Sequence, residues 1–251
     1  MGSLRNLAKQ AKLLVYENLY SRKVNIKLDH AIFSFTFDDV PVSAMSNGAR
    51  ILERAGVTGT YYVALGMANA KNGEEDFLNI DDIRALHDRG HDIQCHTYSH
   101  INLKQVTANE AFADCSRNTS QLATITGKAG IDHFAYPFGA VTMTGKKMLR
   151  KKYLTLRTVD PGLNYGMSDM THLRTVSLCR IDFDRNQVRD AITKALSCNA
   201  WVIFVSHDIK EHPSEWGLSP DDFSWAVDEC KKTSGMILNV RQAYESITRT
   251  T

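Results

Sequence analysis

Residues Ala31–Phe37 read AIFSFTF and run directly into Asp38 and Asp39. A short apolar run that ends in carboxylates is the pattern of a buried strand delivering polar groups at its C-terminal end. Working outward, Thr60–Leu65 (TYYVAL) is β-branched and aromatic and predicts a second strand. Further strands are expected at His91–Cys95, in a short run ending at Ala135, at Tyr153–Arg157, at Trp201–Ser206 (WVIFVS) and at Met236–Leu238. Helical patterns fall between them. One spans about Val42 to Ala55. Another starts at an Asn79 cap with Asp82 three residues on, carries Ile83, Leu86 and His87 on one face, and stops at Gly90. Thr107 and Glu110 form a capping box for a helix towards Ile125. Helices are also expected from about Thr142 to Lys152, over Val188–Leu196, and from Ser219-Pro220-Asp221-Asp222 to about Lys232. Strand–helix alternation predicts an α/β fold with parallel strands and outer helices, either open or closed as a barrel. In both forms chemistry gathers at the C-terminal ends of the strands.

Composition agrees with one folded domain. The chain has 251 residues, 43% of them hydrophobic, enough for a single sizeable core. Its 30 Lys+Arg against 28 Asp+Glu leave a formal charge of +2, which disfavours a nucleic-acid partner. No apolar run is long enough for a transmembrane segment. Leu4, Leu7, Ala8, Ala11, Leu14 and Val15 recur at helical spacing opposite Arg5, Lys9 and Lys12. Such a helix suits an anionic membrane surface or a packing face on the domain, and packing is the commoner use. Residues 1–30 are therefore read as an amphipathic helix and lead-in, and 31–251 as the folded domain. The 5 cysteines are widely spaced, with no C-x-x-C, which points to a reducing, cytoplasmic setting; a secreted form would need a trimmed leader.

Polar residues cluster at three strand ends: Asp38 and Asp39, then His96 and His100 in HTYSH, then His207 followed by Asp208. Each has an ordinary structural explanation by itself. Paired aspartates cap turns, H-x-x-x-H arises by chance among 9 histidines, and a lone histidine is usually a satisfied core residue. Together they supply two imidazoles and a carboxylate, a three-ligand set that leaves a position open for water or substrate. A second carboxylate can take a proton from the water and another histidine can give one to a leaving group. These are the parts of a metal-assisted hydrolase.

Phe37-Asp38-Asp39, His96-Thr97-Tyr98-Ser99-His100, Tyr136-Pro137-Phe138-Gly139 and Val205-Ser206-His207 resemble, in order, the motifs of NodB-homology polysaccharide deacetylases, carbohydrate esterase family 4. The resemblance spans about Ala31 to Leu238. It implies a distorted, incomplete (β/α) barrel and removal of N-acetyl groups from amino-sugar glycans. It also implies Asp38 as base, Asp39, His96 and His100 as metal ligands, and His207 as acid. Tyr136, Pro137, Phe138 and Gly139 would line the groove, with the Phe138 backbone N–H holding the oxyanion. Zn2+ suits two imidazoles and a carboxylate, and Co2+, Ni2+ or Fe2+ would also be accepted. Tyr136, Phe138, Trp201 and Trp216 are candidates for sugar-stacking walls; the motif favours Tyr136 and Phe138, and core or surface packing is the commoner use of the two tryptophans.

The chain departs from the family pattern in three places. Val40-Pro41 replaces Gly-Pro. Ala135 stands where many members carry an arginine that orients the base, which leaves Arg157 or Arg180 to substitute. The fourth motif's Asp-Trp is absent, and Arg157-Thr158-Val159-Asp160-Pro161 occupies its region, making Asp160 a candidate for tuning His207. Two other readings remain open from sequence: the same site acting on another linear amide or formamide, and a non-catalytic relative that binds glycan or metal.

Overall fold

The structure, a computed structural model, describes residues 18–72, 75–127 and 130–249. In chain order it runs β1 (Lys23–Ile26), β2 (Ile32–Asp38), a π-helical turn (Ala44–Ala49) continuing into α1 (Arg50–Arg54), β3 (Thr60–Val63), β4 (Lys71–Asn72) and β5 (Glu75–Asp76). Next come α2 (Ile80–Asp88), β6 (Asp92–Cys95), α3 (Ala108–Ile125), β7 (His133–Ala135), α4 (Met143–Leu149) and β8 (Thr155–Pro161). The chain ends with β9 (Gly166–Asp169), β10 (Leu173–Ser177), α5 (Arg185–Cys198), β11 (Trp201–Ser206), α6 (Pro220–Lys231), β12 (Met236–Ile237) and α7 (Val240–Arg249).

Seven strands pair in parallel in the order β2, β3, β6, β7, β8, β10, β11. The ring closes because β11 pairs with β2 from Trp201↔Ile32 to Ser206↔Phe37. β2 shows why. Side chains alternate along a strand, so Phe33, Phe35 and Phe37 share one face. They stack on Phe204, Tyr61 and the α6 residue Phe223, with Phe37–Tyr61 centroids 4.8 Å apart and Phe35–Phe223 5.6 Å apart. This is the outer core under the helices, where each fully buried Phe contributes about 1.5–3 kcal/mol. Ile32, Ser34, Thr36 and Asp38 consequently face the barrel interior. There the Trp201 indole N–H donates to Ser34 Oγ at 2.9 Å, and Thr36 Oγ1 donates to the Phe204 carbonyl at 2.7 Å. Val240, Ala243 and Ile247 of α7, with Ile26 of β1, join Ile32, Leu173, Trp201 and Ile203 in a second core at the foot of the barrel. Asp38 therefore lies at the opposite, open end.

The caps read from sequence are present: Asn79 with Asp82, Thr107 with Glu110, and Ser219 accepting from the Asp222 N–H, while Gly90 takes φ +88° after α2. Other expectations are corrected. The Val42–Ala55 helix is π-helical in its first half, where Gly48 lies against Phe37 so closely that a Cβ would meet the ring at 2.9 Å. The crossover from β8 to β10 carries no helix; β9 pairs antiparallel with β1 instead. That pairing brings Lys23–Ile26, assigned from sequence to the lead-in, onto the barrel. The sequence reading also lacked β10 and α7. The amphipathic segment Leu4–Val15 lies outside the described residues. Among those described, no helix is long and apolar enough to cross a membrane.

Candidate active site

Five strands bring the site together. Asp38 is the last residue of β2, His96 follows β6, Phe138 lies just past β7, Arg157 belongs to β8 and His207 follows β11. The connecting backbone is strained. Among the described residues, eight that are not glycine have φ between 48° and 64°, and Asp39, Val40, Thr97, His100 and Phe138, five of the eight, lie in this region. Left-handed conformations cost side-chain-bearing residues about 1–2 kcal/mol each. Such outliers concentrate where a site needs a particular geometry. Val40 stands where the family pattern has glycine, so the departure noted in the sequence is borne as strain in a turn closed by Val40 N–H to the Asp38 carbonyl.

The HTYSH turn is held from outside by α3. Asp114 Oδ1 accepts from the backbone N–H groups of Tyr98 and Ser99 at 2.6 and 3.1 Å, and the Arg117 guanidinium lies 3.5 Å from the Tyr98 ring centre. The sequence reading did not find Asp114, because nothing in a helix-surface aspartate announces a partner in a preceding loop. Within the turn, the Ile101 N–H donates to Thr97 Oγ1.

These constraints converge His96 Nε2 and His100 Nε2 on Asp39 Oδ1, at 3.3 and 3.0 Å. The ligand atoms of the three residues lie within 4.8 Å of one another. Asp39 Oδ1 is buried and lacks a properly directed hydrogen bond even with two imidazole nitrogens beside it. A cation fits that vacancy in bonding, and the donor set of two imidazoles and one carboxylate suits a divalent transition metal. His96 is oriented by its other nitrogen, which lies 2.9 Å from the Ala135 carbonyl, the outer support typical of a ligating histidine. Ala135, the position lacking the family arginine, thus acts through its backbone.

Asp38 lies behind this cluster, its side chain 4% exposed, in an ion pair with the fully buried Arg157 guanidinium. Arg157 also donates to the Thr158 carbonyl and lies over the Tyr62 ring at 4.9 Å. Burial pushes the Asp38 carboxyl up, but Arg157, His96 and His207 outweigh it and hold the group below the usual aspartate value. Burial likewise raises Asp39, and the close imidazoles of His100 and His96, with the charge of His207, bring it well below the usual range. Both carboxylates are therefore ionised. Of the two arginines offered by the sequence, Arg157 is the one at Asp38. Arg180 is on the surface, its Nε donating to the Ser214 carbonyl at 3.3 Å and its N–H to that of Gly217.

His207 Nε2 lies 4.0 Å from Asp39 Oδ2, and its Nδ1 lies 3.2 Å from the Trp216 carbonyl. Asp160 is paired with the buried His172 at 2.9 Å, so the acid candidate is oriented by a backbone carbonyl and not by this carboxylate. The expected walls also divide. Phe138 is 64% exposed with its ring 4.5 Å from His100. Tyr136 is fully buried against Phe134, because it points back into the outer core, and presents no face to a sugar. Pro137 is buried as well, and Gly139 sits at φ +59°, where a Cβ would come 2.3 Å from Val159 Cγ2. Trp201 is core. Trp216, weighed from sequence between a sugar wall and packing, is 50% exposed at the mouth, its ring 6.3 Å from His207.

Fold and site together define a seven-stranded parallel barrel with a carboxylate–histidine cluster at its open end. Residues 26–156, just over half of the chain, match the family described as polysaccharide deacetylase, and the chain belongs to that family. The match stops one residue short of Arg157 and does not reach His207. Among solved structures, the chain is similar to the CE4 domain of a multidomain xylanase from the hindgut metagenome of Trinervitermes trinervoides, with TM-score 0.57, 17% identity, and 86% of this chain and 91% of that one covered. It is similar to a mutant of a CE4-family pseudoenzyme with restored enzymatic activity, with TM-score 0.60, 14% identity, and coverage of 87% and 69%. A polysaccharide deacetylase from Bacillus cereus is 24% identical over 56% of this chain, with TM-score 0.49, and this chain spans only 45% of its length. No curated protein sequence matches the chain.

Proposed function

We propose that the chain is a metal-dependent hydrolase that removes N-acetyl groups from amino-sugar oligo- or polysaccharides. The observation that carries the reading is the convergence, at one barrel mouth, of Asp39, His96 and His100 with the Asp38–Arg157 pair and His207. Asp39, His96 and His100 would hold the metal, with Zn2+ the first choice on ligand grounds. A divalent cation there supplies Lewis acidity towards a carbonyl oxygen and acidifies water. Asp38, ionised by its arginine, takes the proton of the attacking water. The Phe138 backbone N–H faces the oxygen of the tetrahedral intermediate, an interaction whose loss typically costs about 3 kcal/mol. His207 gives its Nε2 proton to the nitrogen as the C–N bond breaks, releasing acetate and a free amine. Phe138 beside His100 and Trp216 near His207 offer exposed aromatic faces suited to a sugar ring.

One observation favours an enzyme over a glycan- or metal-binding relative: Arg157 supplies from β8 the base partner that Ala135 cannot. The test is acetate release from short N-acetylglucosamine oligomers with added zinc or cobalt, comparing wild type with Asp38→Asn. Release by wild type alone, with metal bound to both, is expected. Near-normal release by Asp38→Asn would overturn the base assignment. Metal binding and sugar binding without release would favour the binder.

A further inference from the structure

We infer that Asp208 and Ser214 are positioning residues for His207: the Asp208 carboxylate folds the following loop around Ser214 so that the Trp216 carbonyl fixes a proton on His207 Nδ1 and leaves Nε2 as the ring nitrogen turned towards Asp39. The inference rests on the proposed role of His207 as acid.

The loop is built as a relay. Asp208 is buried, and its two oxygens accept from Ser214, Oδ1 from the hydroxyl at 2.5 Å and Oδ2 from the backbone N–H at 2.8 Å. Lys210 Nζ lies 3.6 Å from Oδ2. With its hydroxyl hydrogen committed to Asp208, Ser214 Oγ accepts from the Trp216 N–H at 3.2 Å. The Leu218 N–H donates to the Asp208 carbonyl at 2.9 Å and closes the loop. The Trp216 carbonyl is thereby turned to His207, whose backbone N–H and Nδ1 both reach it at 3.2 Å. A carbonyl only accepts, so Nδ1 carries a hydrogen in every protonation state. Nε2 is then the ring nitrogen left to face the site, which is what a general acid there needs.

Two further contacts make the arrangement specific. A Cβ at Gly217 would lie 2.1 Å from Asp208 Oδ1 and 2.3 Å from its carbonyl oxygen, so the chain passes over Asp208 where no side chain fits. From the other side, Ile209 is clamped by the segment that follows Asp39: its N–H donates to Ser43 Oγ at 3.2 Å, and Asn47 Nδ2 donates to its carbonyl at 2.7 Å. The turn carrying Asp39 and the loop carrying His207 are thus fixed to one another without a carboxylate on Nδ1.

The test is the tautomer of His207 by long-range 1H–15N correlation of the zinc-loaded chain, the ring assigned with His207→Gln, in wild type, Ser214→Ala and Asp208→Asn. Wild type is expected to show hydrogen on Nδ1. Both variants are expected to show a mixture of tautomers and a kcat reduced by about 10-fold or more, with KM for the oligomer changed less than about 3-fold and zinc retained. Hydrogen on Nε2 alone in neutral wild type, or an unchanged ring pattern in both variants, would overturn the inference. If wild type releases no acetate, the proposed function fails, and the tautomer comparison still decides the positioning role.

Discussion

Replacing Arg157 with methionine is the sharpest probe of how the barrel interior supports its mouth. The Arg157 and Asp38 side chains are 0% and 4% exposed, so the substitution leaves a carboxylate in a site that water cannot reach. Breaking one side of a buried pair costs about 3–5 kcal/mol, a large share of the roughly 5–15 kcal/mol that holds an ordinary domain together. Methionine keeps most of the length of the arginine stem beside Tyr62, so the loss measures charge and not volume. The double variant Asp38→Asn/Arg157→Met removes both charges and is expected to be more stable than the sum of the single losses by about 1–3 kcal/mol. The assay is urea unfolding at neutral pH with chelator present, so that metal binding does not enter. The pH dependence has an opposite sign in the two proteins. In wild type the folded Asp38 pKa lies below the unfolded value near 3.8, so the pair stabilises above that value and its contribution disappears as pH falls through the folded pKa. In Arg157→Met burial acts with less opposition and raises the folded pKa, so stability falls as pH rises above about 4. A loss below about 1 kcal/mol in Arg157→Met, or strictly additive losses in the double variant, would refute the assignment of Arg157 as the partner that keeps Asp38 charged.

Three other outcomes are expected. His100→Ala and Asp39→Asn should each weaken zinc binding by at least about 100-fold by competition titration, while far-UV circular dichroism stays that of wild type; retention of affinity in both would remove the ligand set. Lys146→Met should destabilise the fold by about 3–5 kcal/mol in chemical unfolding, because Lys146 is buried against Asp169, the carboxylate that also accepts from the Arg22 and Thr171 N–H groups and anchors β1. His133, held by burial at a pKa of about 3, must gain a proton on unfolding below its ordinary value of 6.5. Stability should therefore fall as pH drops from about 6.5 towards 3, by up to about 1.4 kcal/mol per unit from this residue, and His133→Gln should flatten that slope.

The expected strands at Ala31–Phe37 and Trp201–Ser206 were legible because a strand buried on both faces must be apolar nearly throughout. The capped helices α2, α3 and α6 were legible because a cap is a local contract between residues three apart. β1, β9 and β10 were not. Leu173–Ser177 (LRTVS) mixes polar with apolar residues, and β1 and β9 pair with each other as a ribbon across some 140 positions of sequence. At the site, Asp38, Asp39, His96, His100 and His207 could be picked out because their chemistry is local in the sequence even though their meeting is not. Tyr136 faces the core although its motif suggested a sugar wall: an aromatic side chain has the same identity facing a core or facing solvent, and only the direction of the backbone decides.

The sequence by itself determined the class of fold, the polar residues at the strand ends and the family resemblance, since hydrophobic periodicity, caps and short motifs act over a few residues. Tertiary structure alone decided that Arg157 and not Arg180 meets Asp38, that Asp160 goes to His172, and that a loop tied by Asp208 and Ser214 presents a carbonyl to His207. Those pairings depend on barrel closure and on which way each strand end faces. Opposite charges meet only where the packed backbone delivers them, and no local rule of sequence carries that distance.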